Sequence, residues 1–189
     1  FGSFDLLESL GISLTENVRE IERKYEKENL ALLFAPFFHP AMKHFAEVRR
    51  KIGKPTFFNL LGPLLNPAFP KRQIIGTSFK DKMHLIAETC RLLGKEKVYV
   101  VCGEDGLDEV TLAGRTFVTE LSGGKIKSYA ITPADFGLPE ARFTEIQGGD
   151  GIFNTQIAKN ILAGVCKSRH RDLVLVNVAM ALKLTDKVK

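Results

Sequence analysis

The continuous apolar run VYVVC at residues 98–102 most constrains what this chain can fold into. Such a β-branched and aromatic run, without polar alternation, must be covered on both faces, as in a strand inside a helix-flanked sheet. A second strand pattern, QIIGT, precedes it at residues 73–77. Between the two, residues 80–93 place Met83, Ile86, Ala87, Cys90 and Leu93 at helical spacing before a terminating Gly94. Strand, helix and strand in that order predict a parallel pair joined by a crossover. A loop follows at residues 103–110. Residues 116–121 and 126–131 then predict a hairpin turning at Ser122–Gly123–Gly124, the antiparallel part of the sheet. The fold class is therefore α/β, a central mixed, partly parallel sheet flanked by helices.

The flanks are mostly helical in pattern. Leu6, Leu7 and Leu10 predict a first helix over residues 5–10 with Gly11 as its C-cap, and Thr15 is expected to cap a second running to residue 28. The short apolar run at residues 30–34 is expected to be a buried strand. Pro40 suits the first turn of a helix through residue 50, which Gly53 and Pro55 stop. Thr132 and Pro133 start a short turn of helix that ends at Gly137, and helices are expected at residues 152–162 and 171–184. In the Gly148–Gly149–Asp150 sequence the carboxylate reads as a helix cap, which satisfies the orphan donors that a phosphate would otherwise need. No repeat or low-complexity linker divides the chain, so residues 1–189 are expected to be a single α/β domain.

At 189 residues, with 44% hydrophobic and 26% charged residues, the chain suits a water-soluble globular protein with a sizeable core. No apolar run approaches the length of a membrane span, and the start lacks a signal-peptide pattern, so a cytoplasmic protein without membrane partners is expected. Cys90, Cys102 and Cys166 are odd in number and widely spaced, which favours reduced, buried thiols over a disulfide frame or zinc site. The net charge of +5 is compatible with an anionic substrate, with nucleic acid, or with neither.

Chemistry-bearing residues concentrate between residues 34 and 67, where His39, Lys43, His44, Arg49 and Arg50 stand among prolines and glycines. From spacing alone, Arg49 and Arg50 are solvated cations at a helix end, although a guanidinium fork also suits a planar carboxylate. His39, beside aromatic residues, reads as structural. Gly62 and Pro63 read as a backbone turn that would let a flat ring approach closely, since glycine has no Cβ. Farther on, GEDGLDEV places Asp108 and Glu109 just beyond the predicted strand VYVVC. Paired carboxylates at a strand's C-terminal edge occupy the usual ligand position of α/β folds, though acidic loops are also often merely solvated. The pattern is not an EF-hand loop.

The run HPAMKHFAEVRRKIGKPTFFNLLGPLLNP resembles the central motif of the anthranilate phosphoribosyltransferase family. That resemblance implies the nucleoside phosphorylase/phosphoribosyltransferase-like C-terminal domain of a larger two-domain enzyme. It also implies that the N-terminal helical region and the glycine-rich pyrophosphate loop lie outside these residues, so that the 189-residue chain alone is expected to be inactive. The implied reaction transfers a phosphoribosyl group from phosphoribosyl pyrophosphate to anthranilate in tryptophan biosynthesis. By counting from His39, the arginine that grips the anthranilate carboxylate is Arg49. His39 and Gly62 would line the anthranilate pocket, Asp108 and Glu109 would bind Mg²⁺, and no side chain is assigned as catalytic. The resemblance further implies a homodimer. Two alternatives stay open: a pyrimidine nucleoside phosphorylase-like enzyme, and an inactive relative that binds nucleic acid. Arg50, Lys51, Lys54, Lys71 and Arg72 would allow the latter, but Asp108 and Glu109 would repel a phosphate backbone, so no nucleic-acid partner is expected.

Overall fold

A computed structural model describes residues 3–40, 45, 51–53 and 58–188. The chain divides into two compact units, residues 3–62 with Gly149–Leu162, and Pro63–Gly148 with residues 163–188.

The second unit holds the sheet, in the order β1-β2-β3-β4. Strand β1 (Arg72–Gly76) runs parallel to β2 (Lys97–Gly103), with Ile74 opposite Tyr99. The crossover between them is a 3₁₀ turn, Lys80–Lys82, and the helix Met83–Leu92. Strands β3 (Thr116–Ser122) and β4 (Lys125–Ile131) add antiparallel. Gly123 and Gly124, both in the left-handed region, make the tight turn between these strands, since a two-residue hairpin turn of this kind needs positive φ at both positions. The mixed sheet expected from the sequence is thus present.

Alternation along the strands sends Tyr99, Val101 and Val118 to one face, where they form the core with Val176, Met180 and Leu184 of the long helix Arg169–Leu184. The helix Met83–Leu92 packs on β2 and β3 through buried Met83, Ile86, Ala87 and Cys90. One acid fastens the far end of the long helix. Asp186 accepts from Arg72 of β1 and Lys97 of β2, each at 2.6 Å, while Arg72 and Lys97 also donate to the carbonyls of Leu184 and Lys183. Cations at the last carbonyls complement the helix dipole.

The first unit is helical. The helix Ser3–Ser9 packs on Gly151–Leu162, and Phe34 sits between the rings of Phe4 and Phe37. Asp150 caps the helix Gly151–Leu162 by accepting from the Phe153 amide at 2.8 Å, as the Gly148–Gly149–Asp150 sequence led us to expect.

Several expectations are corrected. Residues 30–34 form no strand; Phe34 instead caps the short helix Ala35–Phe38, because an apolar run becomes a strand only where a neighbour offers a ladder. The helix Val18–Glu28 is capped by Asn17, whose side chain accepts from the Glu20 amide, while the Thr15 hydroxyl donates to the Glu20 carboxylate. Cys90 and Cys102 are buried free thiols, but Cys166 is half-exposed, with its sulfur 3.0 Å from the Ser168 hydroxyl. The helix expected from Pro40 to residue 50 lies largely outside the described residues.

Candidate functional site

The carboxyl ends of β1 and β2 lie side by side, and the loop leaving β2 carries the acidic pair. Much of its backbone is hydrogen-bonded. The Gly103 amide donates to Leu107 O at 2.8 Å, and the Glu104 amide donates to Arg115 O at 2.8 Å. Asp105 accepts from the Leu107 amide and the Thr111 hydroxyl, so this carboxylate is committed to the loop. Glu104 pairs with the Arg115 guanidinium at 2.7 Å, and that ion pair pulls its pKa down from 4.5 to about 2.

Two supports come from outside the loop. Asn177 of the long helix accepts from the Val110 amide at 3.0 Å and donates back to Val110 O at 2.9 Å. Gly76, at the end of β1, lies directly beneath Asp108, where any side chain would collide with the Asp108 backbone.

Asp108 is exposed and Glu109 half-buried, and among the described residues neither carboxylate has a hydrogen-bond or ion-pair partner. Burial pushes the Glu109 pKa up, and the nearby carboxylates of Asp108 and Asp105 push it further. Partly desolvated, uncompensated hard-oxygen donors suit a divalent cation such as Mg²⁺. Among the described residues no three or more His, Cys, Asp or Glu side chains gather into a metal cage. The pair therefore fits an ion that completes its shell with water and substrate oxygens.

His39 and Gly62, also expected from the sequence, belong to the helical unit. Arg49 lies outside the described residues. His39 is half-buried and follows the helix Ala35–Phe38, its amide donating to Ala35 O at 3.0 Å. Gly62 departs from expectation, because it lies in the helix Phe58–Leu64 and not in a turn. Pro63 lies inside this helix, near its C-terminal end, where it removes one N–H from the hydrogen-bond ladder of the last turn. Gly62 is exposed, with no heavy atom within 4 Å of where its Cβ would stand.

Sequence reasoning missed Asn177 and Gly76. The signal for the first was a polar residue inside LVLVNVAMAL, and for the second a glycine closing a buried strand. No helix among the described residues is long and apolar enough to cross a membrane.

Comparison with known proteins gives a consistent result. The chain is 44% identical over 180 residues to the anthranilate phosphoribosyltransferase of Persephonella marina, covering 95% of this chain and 53% of that protein. It superposes on the crystal structure of the Thermus thermophilus enzyme with a TM-score of 0.88 at 36% identity, covering 99% of this chain and 55% of that one. The Saccharomyces cerevisiae enzyme, in a complex with phosphoribosyl pyrophosphate and Mg, superposes with a TM-score of 0.89 at 29% identity, over 100% of this chain and 54% of that one. The chain thus spans about half the length of the relatives it matches. The family model described as the a/b domain of the glycosyl transferase family matches residues 1–189. With its mixed sheet and acidic loop in place, this chain belongs to that glycosyl transferase family.

Proposed function

We propose that the chain is the α/β part of a larger two-domain enzyme, an anthranilate phosphoribosyltransferase of tryptophan biosynthesis that works in the cytoplasm as a homodimer. In the reaction the anthranilate amine forms a bond to ribose C1′ of phosphoribosyl pyrophosphate as the C1′–O bond to pyrophosphate breaks. The amine loses a proton, and the products are phosphoribosyl anthranilate and pyrophosphate. The observation that carries this reading is the uncommitted Asp108–Glu109 pair, placed at the carboxyl end of β2 by a loop whose other acids, Glu104 and Asp105, are engaged.

Asp108 and Glu109 would hold Mg²⁺ there. Bound Mg²⁺ supplies charge neutralisation on the departing pyrophosphate. Arg49 would grip the anthranilate carboxylate with its planar fork, and His39 and Gly62 would line the path of the ring. This chemistry is positioning and charge stabilisation, so no side-chain nucleophile is required. The test is loss of anthranilate fluorescence on adding phosphoribosyl pyrophosphate and Mg²⁺. The larger enzyme should consume anthranilate, whereas the 189-residue chain alone should leave the signal at background. No consumption by the larger enzyme would overturn the proposal.

A further inference from the structure

We infer that Asn177, on the long helix, is a positioning residue that fixes the Asp108–Glu109 pair by clamping the backbone of Val110. The inference rests on the metal-binding reading given above and deepens it. An asparagine amide has one acceptor oxygen and two donor hydrogens. Here Oδ1 accepts from the Val110 amide at 3.0 Å, and Nδ2 donates to Val110 O at 2.9 Å and to Leu173 O at 2.9 Å. Both main-chain groups of Val110 are thus paired by one side chain, as a neighbouring strand would pair them. Val110 itself is 1% exposed, so these groups cannot turn to water instead. The clamp is rigid because its helix is anchored in the core through Val176, Met180 and Leu184.

Glu109 is therefore held between two fixed points. On one side Asp108 lies over Gly76, and on the other Val110 is fastened to Asn177. A half-buried carboxylate that must meet a cation with small tolerance needs such support from residues that do not touch the ion. Satisfying a buried backbone would by itself be a structural role, and the two roles separate in what they do to metal affinity.

The test is Mn²⁺ affinity of the larger enzyme in the presence of phosphoribosyl pyrophosphate, read from the resonance of free Mn²⁺. Asn177→Ala removes the clamp. Asn177→Asp keeps the acceptor for the Val110 amide but sets a carboxylate oxygen against the Val110 and Leu173 carbonyls. Both should weaken Mn²⁺ by about ten- to a hundredfold, the usual effect of losing a residue that orients a metal ligand. Ile86→Ala, a core truncation on the crossover helix Met83–Leu92, should lower the melting temperature and leave Mn²⁺ affinity within about twofold of wild type, because it leaves the long helix and its Asn177–Val110 bonds in place. Unchanged affinity in the Asn177 variants overturns the inference. If Glu109→Gln is unchanged as well, the metal reading falls with it; if Glu109→Gln alone weakens binding, only the positioning role falls. Should neither Asn177 variant fold, amide exchange of the wild-type enzyme decides. Linkage requires that Mg²⁺ with phosphoribosyl pyrophosphate slow exchange at the clamped Val110 amide, and no slowing contradicts the coupling.

Discussion

Gly76 lies so close beneath Asp108 that a Cβ at this position would stand 1.7 Å from the Asp108 carbonyl oxygen. The obstacle is backbone, which cannot swing aside as the end of a flexible side chain would. Glycine is thus required here for close approach, not for an unusual φ. Gly76→Ala should destabilise the larger enzyme by about 1–3 kcal/mol, the usual range for overpacking. It should also weaken Mg²⁺ use by displacing Asp108. A melting curve identical to wild type would show that the loop can shift freely.

Gly62 presents the opposite case. It is helical and exposed, with open space around it. Gly62→Ala should stabilise the protein by roughly 0.5–1 kcal/mol through helix propensity alone. If the ring of anthranilate approaches this glycine, the same variant raises KM for anthranilate while leaving that for phosphoribosyl pyrophosphate near wild type. A gain in stability with both KM values unchanged would remove Gly62 from the pocket.

The Glu104–Arg115 pair predicts a pH response. Glu104 has a folded-state pKa depressed from 4.5 to about 2, first by the Arg115 side chain and then by its backbone amide. Folding therefore gains from ionised Glu104 above pH 4.5, and loses that gain as pH falls toward 2. Glu104→Gln should flatten the acid side of the stability curve in that interval and change little in its slope above it. Superimposable acid limbs for the two proteins would mean that water screens the pair completely.

Arg49 and Arg50 separate the substrate reading from a solvated helix end. Arg49→Ala should raise KM for anthranilate by about ten- to a hundredfold, since a lost charged hydrogen bond costs on the order of 1.5–3 kcal/mol. Lysine at this position should rescue only in part, having no planar fork. Arg50→Ala should change KM little. Equal small effects at both positions would return Arg49 to solvent, and a large effect at Arg50 alone would shift the assignment by one residue.

The sheet was legible because its signals are local. VYVVC, the helical spacing from Met83 to Cys90 and the paired Gly123–Gly124 each depend on neighbours in sequence. The failed strand at residues 30–34 depended on a partner that composition does not encode. The acidic pair was visible as Asp108–Glu109, but its supports were not. Asn177 lies 67 residues beyond Val110, and Gly76 meets Asp108 only when β1 and β2 are side by side. Asn17 displaced Thr15 as the cap because either residue can cap a helix, and the choice lies in backbone geometry. The turn expected at Gly62–Pro63 failed because the short helix Phe58–Leu64 forms against the local preference of both residues.

The most direct test of the central claim is a Mg²⁺ titration of the larger enzyme carrying Asp108→Asn or Glu109→Gln, with anthranilate consumption as the readout. Both side chains lack partners among the described residues, so Asp108→Asn at the exposed position should change folding by less than about 0.5 kcal/mol, and Glu109→Gln should not destabilise, because it removes a desolvated charge beside like charges. The account predicts a lower kcat in each variant and a clearly higher Mg²⁺ concentration at half-maximal rate. Titrations that overlay the wild type for both variants would show that the pair is merely solvated and that metal, if used, is held elsewhere.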